Sequence, residues 1–404
     1  MNNKSRKIAF FLLEKWQRNK TVIDIDLVLS KLKEKDVSLI KEIIFGTIRH
    51  YLSLTYIYRN EIKKRPTSLK PSERLIFYMA FYQRYFMSKI PTYAIVNESV
   101  NLAKKFARPF LVTFFNAVLR KVMQKEISFP KDNLSIYYSY PKYFIDLLLN
   151  QYDMFTTKNI LSVQNQFFSP MIRSRKEREI SDELKIYDGI TSVFQLKKNE
   201  PLTGYFKDSA FYVQNVTPVV LIENLSKTFL AKKVLDLCAS PGGKLILAHD
   251  IFPNAKFYAN DVSDKKIKRL EENLKKYQIQ AILSISQGQT YQSNEKFDLI
   301  ILDVPCSNSG VLHKRAEARW RITEKKLKEL KELQLKLIQN ASTLLEEQGQ
   351  IWYLTCSILK EENEDIIKQA AEDYHLEILK TEKILPNEKG WDGGFGCALR
   401  KKHN

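Results

Sequence analysis

Two cysteines, Cys306 in ILDVPCSNSGV and Cys356 in YLTCS, stand where β-branched stretches give way to small polar residues, and Asp303 lies three residues before the first of them. A buried cysteine is ordinarily a small hydrophobe without chemistry. Two thiols and a carboxyl group at the ends of two strands can do more. A thiolate adds to an electron-poor carbon, a carboxylic acid kept protonated in a dry site hydrogen-bonds the charge displaced, and a second thiol handles the proton that must later leave. Carbon 6 of a pyrimidine is such a carbon. Addition there pushes electron density onto carbon 5, which in cytosine is not nucleophilic by itself, so that carbon 5 can take a methyl group from a sulfonium. The attack is perpendicular to the ring, which requires the base to be unstacked and held in a pocket.

LDLCASPGGKL bears on the cofactor. A dinucleotide pyrophosphate calls for G-x-G-x-x-G at a helix N-terminus, and that spacing is absent. Pro241 before Gly242 and Gly243 makes a bent loop whose backbone approaches a ligand closely, and Asp261 lies one strand further on, where an acid grips a ribose diol. A Pro-Gly-Gly loop alone is more often an ordinary strand-to-helix turn. With the acid it suits a nucleoside cofactor lacking phosphates, of which S-adenosylmethionine is the common one.

These groups need elements to hold them. From about residue 206, strand-like KVLDLCA, AKFYANDV, AILSISQG, FDLIILDV and GQIWYLTCS alternate with helical GGKLILAHDIF, SDKKIKRLEENLKKYQ and EKKLKELKELQLKLIQNASTLL. Such alternation predicts a parallel sheet covered on both faces, with ligands bound beyond the carboxyl ends of the strands. The polar clusters Asp236 to Lys244, Asn260 and Asp261, Asp303 to Gly310, and Thr355 to Ser357 all fall at such ends. Residues 4 to 125 instead read as successive helices, RKIAFFLLEKW, VSLIKEIIFGTIRHYLSLTYIYRNEI, SERLIFYMAFYQRYFMSK, TYAIVNESVNLAKKF and PFLVTFFNAVLRKVM, with apolar residues at three-and-four spacing. Ser72 with Glu73 and Thr92 after Pro91 supply starts; Gly46 and Pro109 punctuate. The expected organisation is an all-helical bundle over 1–125, a small connecting α+β subdomain over 126–205 and an α/β domain over 206–404.

The 404 residues, 44% of them hydrophobic, suffice for a sizeable core and two or three domains. Four well-separated cysteines without a C-x-x-C pair suggest neither a zinc site nor a disulfide scaffold, so no metal is expected and a reducing cytoplasm fits. The basic N-terminus is soon interrupted by charges, leaving no signal h-region, and no apolar run reaches transmembrane length, so no membrane association is expected. Residues 1–125 hold 25 lysines and arginines against 9 acids and so carry +16 of the formal +19. Such density is most simply explained by a polyanionic partner, with nucleic acid ahead of a membrane surface. A lysine-rich composition that only maintains solubility is the plainer alternative.

VLDLCASPGGK, LDVPCSNSG, YLTCS and the terminal WDGGFGCALRK together resemble the RNA 5-methylcytosine methyltransferases of the Nol1/Nop2/Sun family. FGTIRH, YQRYFMSKIPTYAIVNESVNLAKK and FFNAVLRKV resemble the antitermination-factor-like RNA-binding domain attached to bacterial small-subunit ribosomal RNA members. The resemblance spans nearly the whole chain. It implies a Rossmann-like methyltransferase domain behind an all-α RNA-binding bundle, S-adenosylmethionine as donor and a cytidine of 16S ribosomal RNA as substrate; separately, a monomer is expected. It assigns the nucleophile to Cys356 and assistance in product release to Cys306, an order that spacing alone does not give. It places the cofactor along Cys238, Ala239, Ser240, Pro241, Gly242, Gly243 and Lys244, and at Asp261, Gln289 and Asp303. Lys244 would also fix the active-site carboxylate or the substrate.

Some positions depart from the family pattern. Ser240 stands for alanine, and Val304, Asn308 and Ser309 stand in the usual Ala-Pro-Cys-Ser-Gly-Thr-Gly. Gln289 replaces an adenine-contacting aspartate. Gly394 and Gly396 flank Phe395 where aromatics are typical, which would widen a wall of the site. His313, Lys314, Arg315, Arg319, Trp320 and Arg321 mix cations with an aromatic and suit phosphates and a stacked base, or else a solvated surface. Cys238 and Cys397 read as structural by their own positions. Two other classes compete: a methyltransferase acting on protein, small molecules or another RNA, and a non-catalytic ribosome-assembly or antitermination factor. Neither a protein nor a small-molecule methyltransferase would need the thiol pair, and a non-catalytic factor could lose Cys356.

Overall fold

The computed structural model describes residues 4–20, 32–63, 67–175, 185–187, 190–196, 205 and 209–402. Two compact units divide the chain: residues 1–157 with 314–323, and residues 158–313 with 324–404.

The first unit is helical. It contains α1 (Lys4–Asn19), α2 (Glu34–Arg49), α3 (Tyr51–Glu61), α4 (Pro71–Tyr85), α5 (Thr92–Phe106), α6 (Val112–Val122), α7 (Leu134–Tyr138) and α8 (Lys142–Gln151). Helix α5 has the limits its apolar spacing predicts. The long run from Val37 to Ile62 instead breaks at His50, whose backbone leaves the helical region and whose ring stacks on Phe86 at 3.9 Å. Gly46 is no punctuation mark. It lies inside α2, where a Cβ would fall 1.8 Å from the ring of Tyr82, so glycine is what admits that ring. Apolar faces of these helices meet around Trp16, Phe10, Phe77 and Phe115, the last two stacked at 4.3 Å.

Residues 314–323, though coded deep in the α/β region, complete this helical core. Arg319 is fully buried, donates to the carbonyls of Arg49 (3.0 Å) and Ser139 (3.2 Å), and lies 3.9 Å over the ring of Tyr140. Burial pushes its pKa down to about 10. The Trp320 indole donates to the carbonyl of Ile48 and meets Trp16 and Tyr51 edge-on. The expectation that Arg319 and Trp320 would hold phosphate and a stacked base is therefore corrected: both are packed inside the fold. Lys314 and Arg315 are exposed.

After α9 (Met154–Val163), the second unit opens with a four-stranded antiparallel sheet of β1 (Met171–Ser174), β2 (Lys185–Tyr187), β3 (Ile190–Gln195) and β4 (Phe211–Val213), in the order β2-β3-β1-β4. The main sheet follows: α10 (Val216–Ser226), β5 (Lys233–Asp236), α11 (Gly243–Ile251), β6 (Lys256–Asp261), α12 (Asp264–Lys276), β7 (Ala281–Ile285), β8 (Phe297–Asp303), α13 (Glu324–Leu344), β9 (Leu345–Thr355), α14 (Glu364–Asp373), β10 (Leu376–Ile384) and β11 (Gly394–Lys401). Its order is β10-β11-β9-β8-β5-β6-β7. Five strands are parallel, as the alternation predicts, but β10 and β11 add an antiparallel edge that the sequence pattern did not disclose.

Successive strand residues point to opposite faces, so Val234 and Ile301 pack with α10, α11 and α12 while Leu235 and Ile300 pack with α13 and α14. From β5 the chain builds outward through β6 and β7, then returns to β5's other side with β8. The order reverses between β5 and β8, and a crevice at that point is where open α/β sheets bind ligands. Asp236 ends one of those strands and Asp303 the other.

Candidate active site

The loop leaving β5 turns sharply into α11. Gly242 caps the helix with φ +106°, a region that side chains avoid, and a Cβ there would lie 2.8 Å from Leu270 Cδ1. Asp261, at the end of β6 and 3% exposed, accepts from the backbone N–H groups of Ser240 (3.0 Å) and Val262 (2.6 Å) and from Lys266 Nζ (2.9 Å). Asn260 beside it is fully buried; its amide donates to the carbonyls of Leu237 and Ser286 and accepts from the hydroxyls of Ser284 and Ser286, which staples three strand ends together. Gln289 sits on a single 3₁₀ turn with its amide turned to Gln287 (2.7 Å).

Lys244, in the first turn of α11, reaches across to Asp303 at 2.5 Å. Burial works against its charge, but Asp303, with Cys356 and Asp236 in support, outweighs burial and raises its pKa. Asp303 keeps 34% of its side chain exposed and faces an ammonium, so it is not in the dry setting the sequence argument supposed. The dry carboxyl is Asp236. It is 1% exposed, one of its oxygens has no hydrogen-bond partner, and burial first, then Asp303, push its pKa up to about 8 against the pull of Lys244. Burial and the charges of Asp236, Asp261 and Asp303 likewise raise the Cys238 thiol.

Adjacent pairing of β8 and β9 brings the two thiols together: Cys306 Sγ and Cys356 Sγ are 3.0 Å apart and both are free. The Cys306 pKa is pushed well up, by the hydrogen bond to Cys356 first and then by burial. Asn308, at φ +61°, donates to the carbonyl of Cys306 and accepts from the Cys356 thiol at 3.3 Å. The family pattern has glycine there, and asparagine is among the few residues that tolerate this conformation. A cavity of about 170 Å³ opens against Cys356, with Lys244, Thr355, Val311, Asp392 and Gly394 on its walls. His313 is buried with Nε2 3.2 Å from Asp392. A Cβ on Gly394 would meet Thr217 at 3.1 Å and one on Gly396 would meet Leu221 at 3.4 Å, so the glycines let α10 lie close against β11.

Sequence reasoning missed Glu362. This fully buried acid accepts from Ser307 and Ser357, the residues directly after the two cysteines. Its run KEENED reads as a solvated helix start, and only its place six residues past Cys356 could have singled it out.

Residues 228–398 match the family described as 16S rRNA methyltransferase RsmB/F, and residues 3–124 match the NusB family. The chain thus joins an RsmB/F methyltransferase domain to a NusB-family domain. The chain is 27% identical over 410 residues to ribosomal RNA small subunit methyltransferase B of Photorhabdus laumondii, covering 94% of each protein. It is 26% identical over 405 residues to the protein of the same name from Yersinia pestis, covering 92% of each. Among solved structures it shares its fold with PH0851 (TM-score 0.78, 20% identity, 99% of both chains). It also shares it with a methyltransferase homolog protein from Pyrococcus horikoshii (TM-score 0.57, 21% identity, 68% of this chain and 100% of that one).

The methyl donor of RsmB/F enzymes is S-adenosylmethionine, and the residues present fit it. Asp261 has about four acceptor positions, of which three are filled, which leaves room for a ribose hydroxyl. Val262, next to it, leaves 53% of its surface uncovered, an apolar face of the kind an adenine ring needs. Among the described residues no group of three or more His, Cys, Asp or Glu is placed to hold a metal, and no helix is long and apolar enough to cross a membrane.

Proposed function

We propose that this methyltransferase modifies carbon 5 of a cytidine in small-subunit ribosomal RNA through a temporary bond between Cys356 and carbon 6 of the ring. The observation that carries the reading is the pair of unbonded thiols 3.0 Å apart, with the Lys244–Asp303 ion pair beside them. Methyltransferases that act on already nucleophilic atoms need neither thiol. The names of the bacterial relatives support ribosomal RNA as the substrate class.

Cys356 attacks as thiolate, with the Lys244 ammonium near enough to attract that charge. As the carbon–sulfur bond forms, the double bond between carbons 5 and 6 breaks and its electrons move toward carbon 5 and ring nitrogen 3. The Asp303–Lys244 pair supplies the hydrogen-bond donor that steadies nitrogen 3. Bound S-adenosylmethionine supplies an electrophilic methyl group, which carbon 5 takes. Loss of the carbon 5 proton to water returns those electrons, re-forms the double bond and expels the Cys356 sulfur, and the protonated Cys306 thiol 3.0 Å away assists by donating to that sulfur as it leaves. Cys238 to Gly243, Asp261 and Gln289 hold the donor, with Gln289 offering an amide where the family offers an acid. Residues 1–125 bind the RNA through their excess of positive charge, and the chain acts as a monomer in the cytoplasm.

Covalent trapping tests this. Cys306→Ala is expected to accumulate a denaturant-resistant protein–RNA adduct, while Cys356→Ala forms none and is inactive. The reverse pattern exchanges the two roles, and no adduct with either variant removes the thiol mechanism. Bisulfite sequencing of the RNA product checks the position methylated.

A further inference from the structure

A buried carboxylate costs several kcal/mol unless hydrogen bonds satisfy it. Glu362 is fully buried, and its partners are neutral donors converging from both cysteine turns. Its Oε1 accepts from the Ser307 N–H at 2.7 Å; its Oε2 accepts from the Ser307 hydroxyl at 2.5 Å and from the Ser357 hydroxyl at 2.6 Å. Gln334 of α13 donates to Oε1 at 3.4 Å and to the carbonyl of Pro305 at 2.9 Å. The backbone at this point is pinned as well: Tyr353 donates to the Glu362 carbonyl at 2.7 Å, while Asn363 accepts from Thr355 at 2.6 Å and donates to the carbonyl of Ser357 at 2.9 Å.

We propose that Glu362 is a positioning residue of the two-thiol centre: its carboxylate ties the turn after Cys306 to the turn after Cys356 and so fixes the spacing of the two sulfurs. This role rests on the covalent mechanism proposed above. Ser307 and Ser357 are each one residue from a thiol, so one rigid acceptor shared by both sets the thiols against each other, which β8–β9 pairing alone does not do. The strands end at Asp303 and Thr355, and both cysteines lie beyond the last ladder pair. A carboxylate is suited to the task because it accepts from all the donors at once. An amide of the same size must turn an N–H toward donors and leaves one tie unmade.

The test uses the full-length chain and the variants Glu362→Gln and Ser357→Ala. Oxidised glutathione, without RNA or methyl donor, converts Cys306 and Cys356 into a disulfide in two exchanges: one thiolate displaces a glutathione thiolate, and the second thiol displaces the other. Peptide mass spectrometry gives the rate. Glu362→Gln is expected to slow closure at least tenfold, and Ser357→Ala about threefold, with buried Cys397 remaining as resistant to alkylation as in the parent, which shows that the sheet is folded. In methylation assays kcat falls by a similar factor while KM for RNA is unchanged. Closure at the parent rate in both variants overturns the positioning role. A loss confined to KM overturns it too. Because the closure assay contains neither substrate nor donor, absence of cytosine methylation by the parent protein would defeat the proposed function while leaving the measured thiol spacing intact.

Discussion

Asp236→Asn should stabilise the α/β unit, and by an amount that grows with pH. An aspartate in an unfolded chain ionises near 3.9, on the order of the model-peptide value; Asp236 in the fold does so at about 8, because burial, and then Asp303, disfavour its charge. Below the lower value both states are protonated and no cost exists. Between the two values the folded state holds a proton that the unfolded chain gives up. Stability therefore falls as pH rises through the window, and the loss is complete only above about 8. A shift of about four pH units corresponds to about 5 kcal/mol at full ionisation and about 4 kcal/mol at pH 7. Asparagine keeps the volume and cannot ionise. Urea unfolding of parent and variant at pH 5, 6, 7 and 8, read by pulse labelling of buried Cys397 with the pulse held at one pH, should show the variant's advantage widening by about 1 kcal/mol per pH unit. An advantage that stays constant over that range would refute the reasoning, since it would mean that Asp236 carries the same charge in both states.

Gly242→Ala should cost about 1–3 kcal/mol, since the residue sits at φ +106° with Leu270 2.8 Å from the new carbon, and should weaken calorimetric binding of S-adenosylhomocysteine at least tenfold. Arg319→Leu gives up two hydrogen bonds and the contact with Tyr140 and should lower stability by about 2–4 kcal/mol, while RNA affinity of the folded fraction is unchanged. Replacing exposed Lys104 and Lys105 by glutamine should do the opposite: Tm is kept, and the slope of log affinity against log salt flattens by about one to two.

The site was legible in the sequence to the extent that strands announce their own ends. VLDLC and ILDV are short β-branched runs closed by an acid and a turn, so Asp261, Asp303 and both cysteines could be placed at one edge of a sheet before any coordinates. Contacts made at long range were not legible. Arg319 and Trp320 look like a nucleic-acid surface because cations beside an aromatic are a surface signature, yet their partners, Arg49, Ile48 and Ser139 to Tyr140, lie some 180 to 272 residues away in sequence. The edge strands β10 and β11 were hidden by composition: LEILKTEKI is mostly exposed and without clean alternation, and GFGCALRK carries two glycines that serve α10. Protonation escaped as well. The neighbours decide that Asp236 rather than Asp303 is the dry acid, and a motif carries no information about which of its carboxyls is covered.

The charges around the site explain why RNA binding and chemistry should be assigned to different parts of the chain. Asp261 and Asp303, joined by Asp236 once it ionises at about 8, act together on Cys238, and Lys244 is the cation set among them. An acidic surrounding favours a sulfonium donor, whose positive charge disappears when the methyl group leaves, but it disfavours the phosphates of the nucleotide that must be presented to Cys356. The attraction needed to hold a polyanion therefore has to come from elsewhere. The NusB-family domain is expected to supply it, residues 1–125 of the chain carrying +16 against +3 in all the rest. Lys244 reconciles the two requirements at close range. Paired with Asp303 it stays beside Cys356, where in the proposed addition it would meet the negative charge that develops as the thiolate adds to the ring. Lys244→Met should accordingly lower kcat far more than it weakens RNA binding, whereas a parallel loss of both would place Lys244 with the RNA-holding charges instead.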